Sequence, residues 1–169
     1  MTRPQANMRE VQMRDDDFIV SKTDQSGKII YGNKTFIQMS GYSEAELLGA
    51  PHSILRHPDM PKVVFKLLWE TLRKKKEIFA YVKNLAKDGS FYWVFANVTC
   101  TLGEGGFVRD YHSVRRKPSP TAMKVIPTLY RELLDEETIG GIGASEKLLK
   151  NKLTEQGMSY NDFILTLQQ

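Results

Sequence analysis

Phe79-Ala80-Tyr81-Val82, Phe91-Tyr92-Trp93-Val94-Phe95-Ala96-Asn97-Val98-Thr99-Cys100 and Phe107 to Val114 are three aromatic and β-branched runs, separated by Lys87-Asp88-Gly89 and Gly103-Glu104-Gly105-Gly106. Runs of this composition bounded by glycine-bearing turns read as strands joined by hairpins. The segment is therefore an antiparallel meander. Its middle run, Phe91 to Val98, shows little polar alternation, so both faces of the sheet are covered near it. One face has room for short helices and a pocket. The other needs a cover, to be supplied by the N-terminal leader, the C-terminal tail or a second subunit.

Upstream, Phe18-Ile19-Val20, the turn Asp24-Gln25-Ser26-Gly27 and Lys28-Ile29-Ile30-Tyr31 read as an opening hairpin, with Gly27 free to take a positive φ. Asn33 to Ser40 follows as a short helix with Phe36 and Met39 on one face, and Ser43 to Glu46 is a capping box. Asp59 is placed to accept the unpaired N–H groups of a longer helix, with Pro61 in its first turn. That helix is expected to run to about Lys75, with Val64, Phe65, Leu68, Trp69 and Leu72 on an apolar face. Downstream, Ala122 to Glu137, a break at Gly140-Gly141-Ile142-Gly143, Ala144 to Thr154 and a last helix opened by Ser159 form a helical tail. The fold class is α+β: a five-stranded antiparallel sheet with short helices on one face, plus the tail. We divide the chain into a flexible or weakly helical leader over 1–14, a domain over 15–117 and a C-terminal helical extension over 118–169.

The 169 residues suffice for one ordinary domain and an appendage. Lys and Arg exceed Asp and Glu by 24 to 20, and much of the excess sits in Arg73-Lys74-Lys75-Lys76, which reads as a solvated helix end favoured by the helix dipole. No zinc-finger, RRM or KH signature accompanies it, so no nucleic-acid partner is expected. The longest apolar stretch falls far short of the ~20 residues that span a bilayer, and the polar start is no signal peptide. Direct membrane insertion is not expected. The single cysteine, Cys100, excludes an internal disulfide, suits a cytoplasmic location and reads as a small core residue.

Gly140 to Ser145 follows a helix and lacks the Gly-Lys-Ser/Thr of a phosphate loop. His52, His57, His112 and Cys100 have no zinc spacing, and no nucleophile elbow is present. Nothing points to an enzyme. What remains is Asn33, the loop Arg56-His57-Pro58-Asp59, Phe65 and Trp69 on the following helix, and Asn84 at a strand end. Aromatic faces with placed donors and acceptors suit a flat polar ring such as a flavin. The same residues also read as ordinary parts: Phe65 and Trp69 as core, Asn33 and Asn84 as turn formers, Arg56 and His57 as a surface loop.

The order hairpin, small helices, longer helix, meander resembles a PAS domain. Tyr31 to Phe36, Ser40 to Gly49, Pro51-His52, Arg56-His57-Pro58-Asp59-Met60-Pro61, Val82-Lys83-Asn84, Lys87-Asp88-Gly89 and Tyr92 to Asn97 resemble the FAD-binding PAS domain of bacterial aerotaxis receptors. The resemblance covers roughly 12–117, and the Arg-His-Pro-Asp-Met-Pro run is its most specific part. It implies that Asn33, Arg56, His57, Asp59, Phe65 and Asn84 hold FAD, with Trp69 close by. One departure is that the family's Gly-x-Pro-Trp motif is here Lys75-Lys76-Glu77-Ile78, so Ile78 replaces a pocket-lining Trp. The resemblance further implies a stand-alone cytoplasmic sensor of redox or oxygen state (energy taxis). It would signal to a protein partner, a membrane chemotaxis-type transducer, as a homodimer. The light-sensing LOV branch places a reactive Cys where this chain has Leu55-Arg56-His57, so a cysteine photoadduct is not expected. Two other functions suit a PAS domain: a haem-binding gas sensor with His52, His57 or His112 as axial ligand, and a cofactor-free interaction module.

Overall fold

The computed structural model describes residues 2–169. Its sheet has five strands in the order β2-β1-β5-β4-β3, made by β1 (Ile19–Asp24), β2 (Ile29–Gly32), β3 (Ile78–Leu85), β4 (Phe91–Leu102) and β5 (Val108–Arg116). All pairings are antiparallel. Between β2 and β3 lie α1 (Lys34–Ser40), α2 (Glu44–Leu47), a 3-10 turn over His52–Leu55 and α3 (Lys62–Arg73). Asn33 and Ser43 cap α1 and α2, the latter in a reciprocal capping box with Glu46. Gly32 packs so closely on the Phe36 ring that a Cβ there would collide with it, which fixes how α1 leaves the sheet.

Register decides which side chains share a face. Ile19 opposes Arg115, which opposes Ala96 on its other side; Ser21 opposes Ser113, which opposes Val98. Val82 and Asn84 oppose Val94 and Tyr92. Partners across antiparallel strands point to the same side, so this set forms the inner face beneath the short helices. There Met13, Ile19, Ile29, Phe36, Tyr42, Leu47, Leu55, Tyr92 and Val94 make one core cluster.

The outer face carries Tyr81, Trp93 and Phe95, and the C-terminal helices cover it. α4 (Pro120–Gln156) contributes Ala122, Ile126, Leu129, Tyr130 and Leu133, and α5 (Tyr160–Leu167) contributes Phe163, Ile164 and Leu167. The break expected at Gly140 to Gly143 falls at Gly141, whose φ of 75 and ψ of −172 are non-helical, so α4 is two helices joined at a kink. Of the three covers weighed for this face, the tail supplies the one observed.

Three expectations are corrected. The leader forms no helix over residues 2–14 and packs on the edge of β4. Phe91 donates its N–H to the Arg9 carbonyl at 3.0 Å, Val11 donates to the Phe91 carbonyl at 2.8 Å, and Met13 is buried. The β4–β5 register starts at Phe95, so the edge of β4 before it is free and the leader takes it. Asp59 does not cap α3; Glu137 of α4 does, accepting the N–H groups of Lys62 at 3.0 Å and Val63 at 2.9 Å. A residue 74 positions downstream outcompetes the local candidate, because Asp59 is drawn off to an ion pair with Lys83 at 2.7 Å. Cys100 is half-buried rather than core, since it lies toward the open end of β4.

Candidate functional site

The inner face is not filled. Between the sheet, the 3-10 turn and α3 lies a cavity of about 320 Å³, at the small end of ligand sites, which run ~300–1,000 Å³. Its walls have distinct chemistry. Phe65, Leu68, Trp69 and Leu72 of α3, with Val82, Ala96 and Val98 of the sheet, give apolar surface. Ser21, His52, Arg56, Asn84 and Arg115 give polar groups, and among the described residues neither Asp nor Glu lines the cavity.

Four of the seven residues singled out in the sequence meet here: Arg56, Phe65, Trp69 and Asn84. The helical spacing of Phe65 and Trp69 turns both toward the sheet, where Trp69 meets Tyr111 edge-on at 5.3 Å between ring centroids. The Arg56 guanidinium stacks over the Phe65 ring at 4.0 Å, and its backbone bridges that of Asn84. Asn84 is buried, and its Nδ2 has no partner among the described residues. A buried, unpaired polar group costs ~1–3 kcal/mol, so that amide is a donor waiting for an acceptor.

The other three stand apart. The Asn33 side chain is spent on structure: Oδ1 accepts the N–H groups of Val20 and Phe36, and Nδ2 donates to the Phe18 carbonyl at 2.9 Å. His57 is buried edge-on against Phe91, with Nδ1 accepting the Asp59 N–H at 3.0 Å, which puts the ring proton on Nε2. Burial, then the nearby Lys83, lowers its pKa. Asp59 is exposed beside Lys83. Ile78, where the family's Trp was expected, is buried opposite Val98 and does not border the cavity. Among the described residues, no group of three His, Cys, Asp or Glu stands together to hold a metal.

Sequence reasoning passed over Arg115, Ser21 and Tyr92 as site residues and weighed His52 only as a zinc or haem ligand. Arg115 is among the largest fully buried side chains. Its Nη2 donates to Ser21 Oγ, its guanidinium stacks over Phe36 at 4.9 Å, and Nε and Nη1 have no partner among the described residues. Ser21 Oγ lies 3.2 Å from His52 Nε2. Burial, then Arg115, pushes His52 down to about 3, so its ring stays neutral within hydrogen-bond reach of the Ser21 hydroxyl. Burial also lowers Arg115 to about 10, still a cation at neutral pH, and raises the neighbouring Tyr92 phenol, itself unpartnered, to about 12. Val114 is exposed while Arg115 is buried, an inversion that only the strand register discloses.

These features fit a flavin. Apolar and aromatic walls suit the faces of the ring, and the unpaired donors of Asn84 and Arg115 suit its acceptor-rich edge. The Arg56 cation at the mouth suits phosphate.

Comparison with known proteins agrees with the fold and narrows its kin. The PAS fold family model matches residues 29–115. The aerotaxis receptor of Escherichia coli K12 is 37% identical over 132 residues, 78% of this chain and 26% of that protein. The nitrogen fixation regulatory protein of Klebsiella pneumoniae is 30% identical over 97 residues, 57% of this chain and 20% of that protein. The chain thus spans about a quarter or less of these relatives. Among solved structures, a light-oxygen-voltage domain studied with a flavin analogue superposes with TM-score 0.57 at 23% identity, covering 66% of this chain and 83% of that one. The light state of the photoreceptor Aureochrome1 LOV gives 0.56 at 23%, covering 68% and 90%. At such identity these two show the fold alone.

Proposed function

The chain belongs to the PAS fold family, and from that premise we propose that it is a sensor that binds FAD non-covalently in the inner cavity and passes redox or oxygen state to a protein partner. The carrying observation is the convergence of Arg56, Phe65, Trp69 and Asn84 on one cavity whose unpaired buried groups, Asn84 Nδ2 and the Arg115 nitrogens, are all donors. Such a lining asks for an acceptor-bearing ring. Similarity to an aerotaxis receptor over 78% of this chain supports the same reading. The chain acts by binding rather than by turnover. Its partner on this reading is a membrane chemotaxis-type transducer, met in the cytoplasm by a homodimer; no helix among the described residues is long and apolar enough to cross a membrane.

The flavin would supply reversible electron uptake; the protein supplies the response. Phe65, Leu68 and Trp69 hold the ring and exclude water. Asn84 Nδ2 would donate to it, and a change in the ring's redox state would require the Asn84 amide to re-pair. A buried hydrogen bond lost or regained shifts a two-state equilibrium by ~1–3 kcal/mol. Two routes lead out from the site. β3 carries Asn84 on the inner face and Tyr81 on the outer, where the Tyr81 hydroxyl donates to the Ile164 carbonyl of α5 at 3.0 Å. α3 carries the aromatic wall, and its first N–H groups are held by Glu137 of α4. Both end in the C-terminal helices, the output surface on this reading.

The test is the visible spectrum of the full chain purified from cells, followed by denaturation and identification of the released chromophore by mass. Two-banded flavin absorption with released FAD is expected, and Arg56→Ala or Asn84→Ala should strip the colour. A colourless chain that takes up no added FAD overturns the reading in favour of a cofactor-free interaction module. An intense Soret band overturns it in favour of haem.

A further inference from the structure

Resting on the flavin reading, we infer that Arg115 is a fixed counter-charge for the bound ring, holding its reduced form as an anion and so setting both its potential and the number of protons taken up on reduction. The argument starts from an imbalance. A buried cation is ordinarily paired with an acid. Arg115 is 2% exposed, yet its hydrogen-bond partner is the Ser21 hydroxyl and the face above it is the Phe36 ring. Nε and Nη1 bond to nothing among the described residues.

The surroundings supply no hidden anion. The titratable and charged groups around the cavity are His52 and Arg56 at the 3-10 turn, Tyr111, His112 and Arg115 on β5, and Tyr92 on β4 beside Arg115. His52 is neutral, Arg56 and Arg115 are cations, and the Tyr92 phenol stays protonated at neutral pH. Asp110, the acid on β5, does not line the cavity and pairs with Arg109 at 2.9 Å. The site therefore carries net positive charge facing an apolar-walled space. The chain Arg115 to Ser21 to His52 fixes the guanidinium at the cavity wall.

Uptake of two electrons by a flavin brings one proton to N5, and a second to N1 unless a positive charge holds N1 ionised. With Arg115 in place the balance is two electrons and one proton; without it, two electrons and two protons. The electrons come from a quinol or another reduced electron-transport carrier in the cell, and from dithionite in the test. Free reduced flavin takes its second proton near neutrality, so the two cases separate on the acidic side.

The experiment is a spectroelectrochemical titration of the full chain loaded with FAD, from mildly acidic to mildly alkaline pH, alongside Arg115→Met and Arg115→Lys. In a two-electron couple each proton contributes ~30 mV per pH unit. The unsubstituted chain is expected to hold the one-proton slope into the acidic range. Arg115→Met should double that slope and lower the potential, while Arg115→Lys keeps the charge and restores the single-proton slope. A two-proton slope in the unsubstituted chain at mildly acidic pH overturns the inference without any variant. Equal slopes and potentials in the unsubstituted chain and Arg115→Met, both with flavin bound, overturn it as well. Failure of the unsubstituted chain to take up FAD overturns the flavin reading itself and the inference with it.

Discussion

The two faces of the sheet are built from the same strands and organised in opposite ways. Outside, Tyr81, Trp93 and Phe95 meet Ile126, Tyr130, Leu133, Phe163 and Ile164, and the polar atoms find partners except the buried Tyr160 hydroxyl. The Tyr130 hydroxyl donates to the Tyr81 carbonyl at 2.5 Å, and the Tyr81 hydroxyl to the Ile164 carbonyl at 3.0 Å. Inside, α3 stands off the sheet around a cavity where Asn84 and Arg115 leave donors unpaired, with the unpartnered Tyr92 hydroxyl near Arg115. The outer face is finished without a ligand and the inner one is not. The difference separates residues that hold the fold from residues held in readiness at a cost to it.

The comparison breaks most sharply if a core residue of the outer face proves dispensable. Leu133 is fully buried there, and Leu133→Ala should destabilise the chain by ~2–5 kcal/mol. Urea unfolding of the ligand-free chain reads this directly; a loss below ~1 kcal/mol would mean that the C-terminal helices are loosely docked. The inner face should respond in the reverse sense. Asn84→Leu removes an unpaired donor from an apolar-walled site, so the ligand-free chain should be unchanged or more stable, by up to ~1 kcal/mol. FAD affinity should meanwhile fall at least tenfold, ~1.4 kcal/mol. Equal losses of stability and affinity would show Asn84 to be an ordinary structural residue.

Glu137 joins the two faces and sharpens the contrast. Glu137→Ala leaves the Lys62 and Val63 N–H groups without their acceptor, and should cost ~1–2 kcal/mol in unfolding free energy, the scale of a lost helix cap. Because α3 carries Phe65, Leu68 and Trp69, flavin affinity should weaken alongside. Unchanged affinity would confine the role of Glu137 to stability.

What the sequence disclosed follows the range of the interactions concerned. Gly27 and the β-branched runs around it act within a few residues, and the opening hairpin forms where they place it. Ser43 and Glu46 are three apart and form the expected box. Phe65 and Trp69 share a helix face by periodicity alone, so their meeting was legible, whereas their neighbour Arg115 was not. Arg115 and Arg116 look alike in sequence; β5 alternation sends the first inward under Phe36 and the second outward over Phe95, and only register, set by pairing with Ile19 and Ala96, says which is which. Asp59 was the local choice for capping α3, yet Glu137 reaches it through tertiary packing that no local pattern encodes. Asn33 fitted both a turn former and a ligand-binding residue, and the structure spends its side chain on capping α1.

The smallest effect expected concerns pH. His52 sits beneath Arg115 with its pKa lowered from 6.5 to about 3 by burial and then by that cation. The unfolded chain therefore binds a proton near pH 6.5 that the folded chain refuses until about pH 3. Stability rises with pH wherever the unfolded state holds more protons, so His52 costs the ligand-free chain nothing above its unfolded value and progressively more as pH falls through it. One pH unit is worth at most ~1.4 kcal/mol for a single group, giving ~1–2 kcal/mol near pH 5. His57, also held down by burial, acts with the same sign and remains in both proteins, so the difference between the unsubstituted chain and His52→Gln isolates one ring. Carboxylates enter lower: Glu46, lowered to about 2 chiefly by its bond from Lys87, begins to lose its contribution as pH falls through its unfolded value of 4.5. Unfolding measured between those two limits should show a shallower loss for His52→Gln than for the unsubstituted chain. The outer face offers no such group, because burial raises the Tyr81, Tyr130 and Tyr160 phenols, which titrate only in alkali. An acid slope unchanged by His52→Gln would place its origin outside the cavity and remove the distinction between a titrating inner face and an inert outer one.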